Sequence, residues 1–180
     1  MILVLHSESE RYRVASGFWT QSAQPPAKEK DMPKIDLTLP DDALTPEARS
    51  KLPGELAAAL LRWEGAPDSS FFRSISWTHL HELPADAMHT ADGQATESQA
   101  IVEVTTPQGA LSERRRAGLA EEVTKLVLDA TGWGDDSKLR VWVMCREIDE
   151  GSWAAAGEIV HFAQLREMAA AEQEKVEQPA

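Results

Sequence analysis

Apolar residues recur along this chain with two periods, and the period changes at a few fixed points. From Ile35 to Leu39 apolar and polar residues alternate, as in a strand with one buried face. Thr45-Pro46-Glu47 predicts a helix start, with threonine as N-cap and proline at the first helical position, where its missing N–H costs nothing. Leu52, Leu56, Leu60 and Trp63 continue at helical spacing until Gly65 stops the helix. Pro53, eight residues past the cap, is expected to kink or interrupt it. Phe71 to Trp77 reads as the next strand. After a loop over 84–99 that contains Asp92-Gly93, the pattern returns. Ile101 to Thr105 reads as a strand and Ser112 as an N-cap. Leu119, Val123, Leu126, Val127 and Ala130 form one apolar stripe, Gly132 is a stop, and Leu139 to Ile148 reads as a strand.

The two sets are copies of each other. Residues 38–73 align without a gap on residues 105–140 at a constant offset of 67, and 12 of those 36 positions are identical. Thr38 and Pro40 recur as Thr105 and Pro107, Gly65 as Gly132, and Arg73 as Arg140. Two copies are too few for a solenoid, so the repeat predicts an internal duplication within one domain. Each unit is strand, helix, strand, and a helical crossover between strands makes the pair parallel. The expected fold is α/β (α+β): two βαβ units, in the order βαββαβ, forming a four-stranded sheet with two helices on one face. The units span 33–83 and 100–148 within a domain over 32–166 that includes a hairpin turn after the last strand. Residues 1–31 carry no sustained period and end in a polar, proline-containing run, which predicts a flexible leader. Residues 167–180 read as a polar C-terminal tail able to form a terminal helix.

Charge narrows the partners. Thirty acidic against 18 basic residues give a net charge of −12, which argues against nucleic acid or an anionic membrane. A small anionic substrate would need a local arginine cluster in this repelling field. No apolar run approaches the length of a membrane span, and Met1 to Leu5 is too short for a signal-peptide core, so a cytoplasmic location is expected. The single cysteine, Cys145, excludes an intrachain disulfide and reads as a small buried hydrophobe in its strand.

Candidate chemistry is sparse. Glycine-rich phosphate loops and nucleophile elbows are absent. His79 and His81 lie two apart, so on a strand both face one side, but the sequence shows no third metal ligand. Arg114-Arg115-Arg116, in the first turn of a helix, reads as a solvated face. More suggestive are Met32-Pro33 directly before the first strand, Arg73 and Arg140 after the two helices, and Gly151-Ser152-Trp153 with Ala156-Gly157 after the last strand.

In these features, taken with Leu44-Thr45-Pro46 and Leu139-Arg140-Val141-Trp142-Val143, residues 32–165 resemble the tautomerase superfamily, typified by 4-oxalocrotonate tautomerase, in a fused two-unit form. The resemblance implies an isomerase that moves a proton 1,3 (keto–enol or double-bond migration) on a small 2-oxo or unsaturated carboxylic acid. It implies Pro33 as an amino-terminal general base, Arg73 and its repeat mate Arg140 as carboxylate-binding groups, and Trp153 as a wall of the site. It also implies no cofactor, no metal, and a homotrimer that buries its sheets. The chemistry agrees: a free α-amino group titrates near 7.7–8.0, and burial or nearby arginines lower it towards neutrality. The chain departs from the family pattern at several points. Thirty-two residues precede Pro33, and an internal proline nitrogen is an amide without basicity; the expectation is a start at Met32 with the methionine removed. Ala100 stands where the second unit would need a proline. Leu60 replaces the histidine, and Pro107-Gln108-Gly109-Ala110 the arginines, of members that dehalogenate acrylates. The alternatives are a decarboxylase or hydratase of the same family, or a catalytically silent binding or assembly module if the leader is retained.

Overall fold

The computed structural model describes residues 33–177; the leader and residues 178–180 lie outside the described residues. In chain order the elements are strand β1 (Lys34–Pro40), helices α1 (Pro46–Glu64) and α2 (Ser70–Ile75), and strand β2 (Trp77–Leu83). A hairpin of β3 (His89–Thr90) and β4 (Gly93–Gln94) follows, then β5 (Ala100–Pro107), α3 (Glu113–Thr131) and β6 (Val141–Ile148). A second hairpin, β7 (Ala154–Ala155) and β8 (Glu158–Ile159), leads into α4 (Phe162–Glu177). The main sheet has the order β2-β1-β5-β6. Strand β1 pairs parallel with β2, β5 parallel with β6, and the units join by an antiparallel β1–β5 seam.

Alternation along the two central strands decides which face is covered. Ile35, Leu37 and Leu39 from β1 and Val102 and Val104 from β5 are fully buried against Leu52, Leu56, Leu119, Val123 and Val127 of α1 and α3. The intervening residues Lys34, Asp36, Thr38, Ile101, Glu103 and Thr105 point to the other face, which no helix among the described residues covers. The two long helices start and stop as expected. Thr45 Oγ1 accepts the Ala48 amide at 3.2 Å and Ser112 Oγ accepts that of Arg115 at 3.4 Å. Gly65 and Gly132 end the helices at φ of 76° and 71°, a left-handed conformation that glycine adopts without a Cβ clash.

Three local expectations are corrected. Helix α1 runs without a break through Pro53, whose side lies off the buried stripe of Leu52, Leu56, Ala59 and Leu60; packing of that stripe outweighs one lost backbone hydrogen bond. Phe71 to Ile75 is helix, not strand. The Ser69 hydroxyl caps it by accepting the Phe72 amide at 3.2 Å, while Phe72 and Ile75 bury one turn apart against Leu61. The strand starts only at Trp77. In the second unit a six-residue 3-10 helix, Asp135–Arg140, delays the strand to Val141, so Leu139 and Arg140 precede it. At the C-terminus α4 crosses the boundary drawn at residue 166 as one continuous helix, and its Ala169 packs on the Leu61–Phe72–Ile75 cluster.

Strand register also refines the repeat. Lys34 sits opposite Trp77, and its mate Ile101 sits opposite Trp142. The offset of 67 thus holds through Gly65 and Gly132 and falls to 65 by the second strand. Trp77 and Trp142 are structural equivalents; Arg73 and Arg140 are not.

Candidate active site

Pro33 precedes β1 on the helix-covered side. It is buried, and its carbonyl accepts the Trp77 amide at 3.1 Å, which ties the chain entry to the start of β2. It lines a cavity of about 310 Å³ that both units and the C-terminal helix enclose. The first unit contributes Phe72 and the α1 terminus at Glu64 and Gly65, and the second contributes the turn Pro107 to Ala110. Helix α4 adds Phe162, Leu165 and Arg166. The turn is held by three contacts. The Gln108 amide donates to the Ile148 carbonyl at 2.9 Å, the Gly109 amide to Glu147 Oε1 at 3.1 Å, and Arg116 pairs with the same carboxylate at 3.3 Å. Gly109 has φ of 80°, so the turn itself calls for glycine.

The cavity wall is mostly apolar, with one cation. Arg166 forms no ion pair with another described residue, although its charge helps to hold the Glu150 carboxyl below the usual range. The larger causes there are the hydrogen bonds that Glu150 accepts from the Phe162 amide at 3.0 Å and from His161 at 2.8 Å. Those contacts fasten the start of α4. Behind the rim, Arg115 Nη1 donates to the Glu64 carbonyl at 3.0 Å and fills the space beside Gly65. Two members of the arginine triplet therefore have structural partners: Arg115 closes the end of α1 and Arg116 braces the turn.

The residues singled out with Pro33 do not converge on this cavity within one chain. Arg73 lies on α2, two-thirds exposed, and holds Asp68 through Nε at 2.6 Å and Nη2 at 2.7 Å. Arg140 donates to the Ser98 carbonyl at 3.2 Å, Glu97 at 2.8 Å and Ser137 Oγ at 2.6 Å, beside a separate cavity that includes Ala100. Trp153 stands before the second hairpin, half-buried, with its carbonyl accepting the Val160 amide at 2.9 Å. Leu60 is in the core, and Cys145 is half-buried on the helix-facing side, where burial pushes its thiol up. Sequence reasoning missed Arg166 because it sits outside the duplicated units, in a stretch whose composition says only helix.

Residues 101–163 match the family described as Tautomerase, tautomerase enzyme. Solved structures share the fold. An asymmetric trimer of the wild-type R7 fused 4-OT is 16% identical with a TM-score of 0.59, over 70% of this chain and 94% of the other. N1, a member of the cis-3-chloroacrylic acid dehalogenase family, is 18% identical at 0.61, over 80% and 98%. Pt0534 inactivated by 2-oxo-3-pentynoate is 23% identical at 0.58, over 74% and 98%. No curated protein matches the chain. The family match lies on the second of the two paired βαβ units, and the arrangement of both units is the fold that these solved structures share.

Proposed function

We propose that this protein is an isomerase that transfers a proton 1,3 within a small 2-oxo or unsaturated carboxylic acid, with the Pro33 nitrogen as general base. The observation that carries the reading is the burial of Pro33 in an apolar cavity of about 310 Å³ whose wall holds a single guanidinium, Arg166. A dry wall keeps an amine neutral, and a neutral amine accepts a proton near pH 7. Arg166 offers the substrate carboxylate a permanently charged, two-pronged donor. Phe72 and Phe162 exclude water from the transfer path, which strengthens both interactions. In the reaction the nitrogen takes the enol proton, or a proton from carbon, and returns it to the atom two bonds away.

The mechanism requires a chain whose first residue is Pro33. With residues 1–32 attached the nitrogen is an amide, and the same cavity can only bind. A dehalogenase reading gains no support, because the turn Pro107 to Ala110 brings Gln108 and no cation to the cavity. For Arg73, Arg140 and Trp153 to touch substrate, they would have to do so across a subunit contact. We assign the protein to a homotrimer, in keeping with the trimeric fused 4-OT structures of the same fold.

The test uses 2-oxo-3-pentynoate, an electrophile that an amine can attack. Incubated with a chain that begins at Pro33, it is expected to add once per chain, with the adduct mapped by mass spectrometry to the Pro33 peptide and turnover lost in step. An adduct on Cys145, or full labelling at Pro33 with turnover retained, would exclude the proline base.

A further inference from the structure

We propose that Asp36, His79 and His81 form a binding site for one divalent zinc ion per chain, on the open face of the sheet. The sequence shows two histidines at strand spacing; the fold supplies the third ligand. Asp36 on β1 stands opposite His79, and His81 is the next residue of β2 on the same face, so the carboxylate lies between the two rings. Asp36 Oδ1 is 2.9 Å from His81 Nε2 and 3.4 Å from His79 Nδ1, and the three donor atoms all lie within 4.8 Å of one another. Zinc–ligand bonds of about 2.0–2.1 Å place neighbouring donors of a tetrahedral site roughly 3.3 Å apart. Small rotations of half-exposed imidazoles are enough to close the set.

The donors suit zinc rather than magnesium or calcium. Two imidazoles and one carboxylate are a borderline nitrogen-rich set, whereas the harder ions demand mostly oxygen. All three ligands stand on paired strands, which fix their backbones better than a loop would. His79 and His81 are each 49% exposed in the single chain, so a fourth position is open there to water, an added ligand or, where subunits cover this face, a group from a neighbouring subunit. One neighbour opposes the ion: the Lys34 ammonium holds Asp36 Oδ2 at 2.7 Å and must share or leave that carboxylate. The site is separate from the Pro33 cavity, because Lys34 and Asp36 face the side of the sheet opposite Pro33 and Ile35.

Calorimetric titration of the assembled, chelator-treated protein with ZnCl2 tests the assignment. One zinc per chain is expected, with a micromolar Kd. His79→Ala and His81→Ala should each weaken binding roughly tenfold or more, and Lys34→Ala should tighten it. His161→Ala, which removes the other histidine–carboxylate pair, should change nothing. Circular dichroism on each variant separates lost ligation from lost fold. Titration with Co2+ should give visible absorption bands that disappear in His81→Ala. The proposal is overturned if zinc binds only at millimolar concentration. It is equally overturned if both strand-histidine variants, folded, bind as the parent does, or if His161→Ala removes the binding.

Discussion

A guanidinium can grip a substrate only so far as it is not already committed to a carboxylate in its own chain. Arg73 has both prongs on Asp68, and Arg140 is spread over Glu97, Ser98 and Ser137, whereas Arg166 lines the cavity and forms no ion pair with another described residue. Arg166→Ala is therefore expected to raise KM for a 2-oxo acid by roughly 10- to 150-fold, the equivalent of 1.5–3 kcal/mol for a charged hydrogen bond. Its melting temperature should stay near that of the parent, because the side chain is exposed. Arg73→Ala should raise KM less than Arg166→Ala does; steady-state kinetics of the two variants side by side checks the order. Asp36 carries a different residue-scale prediction. Burial pulls its carboxyl upward, but hydrogen bonds from Lys34 and His81, with the charges of Lys34 and His79, outweigh this and hold it below its ordinary value. A depressed carboxyl stabilises the fold above the unfolded-state value near 3.9 and loses that contribution as pH falls through the folded value. In urea melts Asp36→Asn should be less stable than the parent at pH 6, with the gap closing steadily below pH 4.

At the scale of elements, the duplicated helices share a core and an Arg62–Glu122 ion pair, and they also meet at one very close approach. Gly118 on α3 faces the Trp63 indole of α1 so tightly that an added Cβ would overlap the ring, and the indole is fixed by its N–H bond to Glu122 at 2.8 Å. Gly118→Ala should cost about 1–3 kcal/mol despite its better helix propensity, because the ring has to move; chemical denaturation measures it. What was legible in the sequence follows the same physics. Both long helices could be read because caps, stops and apolar stripes agree within each, and β1 and β5 because their alternation is clean. The strand read over Phe71 to Trp77 starts only at Trp77, because Phe71 and Phe72 are adjacent apolar residues that the Ser69 cap and the Leu61 contact make helical. Identical letters then misled across the repeat: Arg73 and Arg140 align in sequence, but a two-residue shortening after Gly132 separates their places relative to the strands. Pro33 could be singled out from its position before β1. Arg166 could not, since nothing local says that α4 folds back over the first residue of the domain.

At the scale of the whole molecule, helices pack one sheet face, and among the described residues none packs the other. The uncovered face carries Trp77 at 45% and Trp142 at 61% exposure on its two outer strands, the same position in each repeat. A trimer that covers this face accounts for two such indoles on a chain with a net charge of −12. Analytical ultracentrifugation is expected to give the mass of three chains, and Trp142→Asp should shift the distribution towards single chains. The central claim, that proton transfer uses the Pro33 nitrogen as a free amine, is tested most directly by one comparison of turnover. The enol of a simple 2-oxo acid such as phenylpyruvate is supplied to a chain whose first residue is Pro33 and to the 180-residue chain with its first 32 residues confirmed intact. The account predicts rapid ketonisation by the first and little above the uncatalysed rate by the second. Equal rates from both would contradict it, since an amide nitrogen cannot be the base.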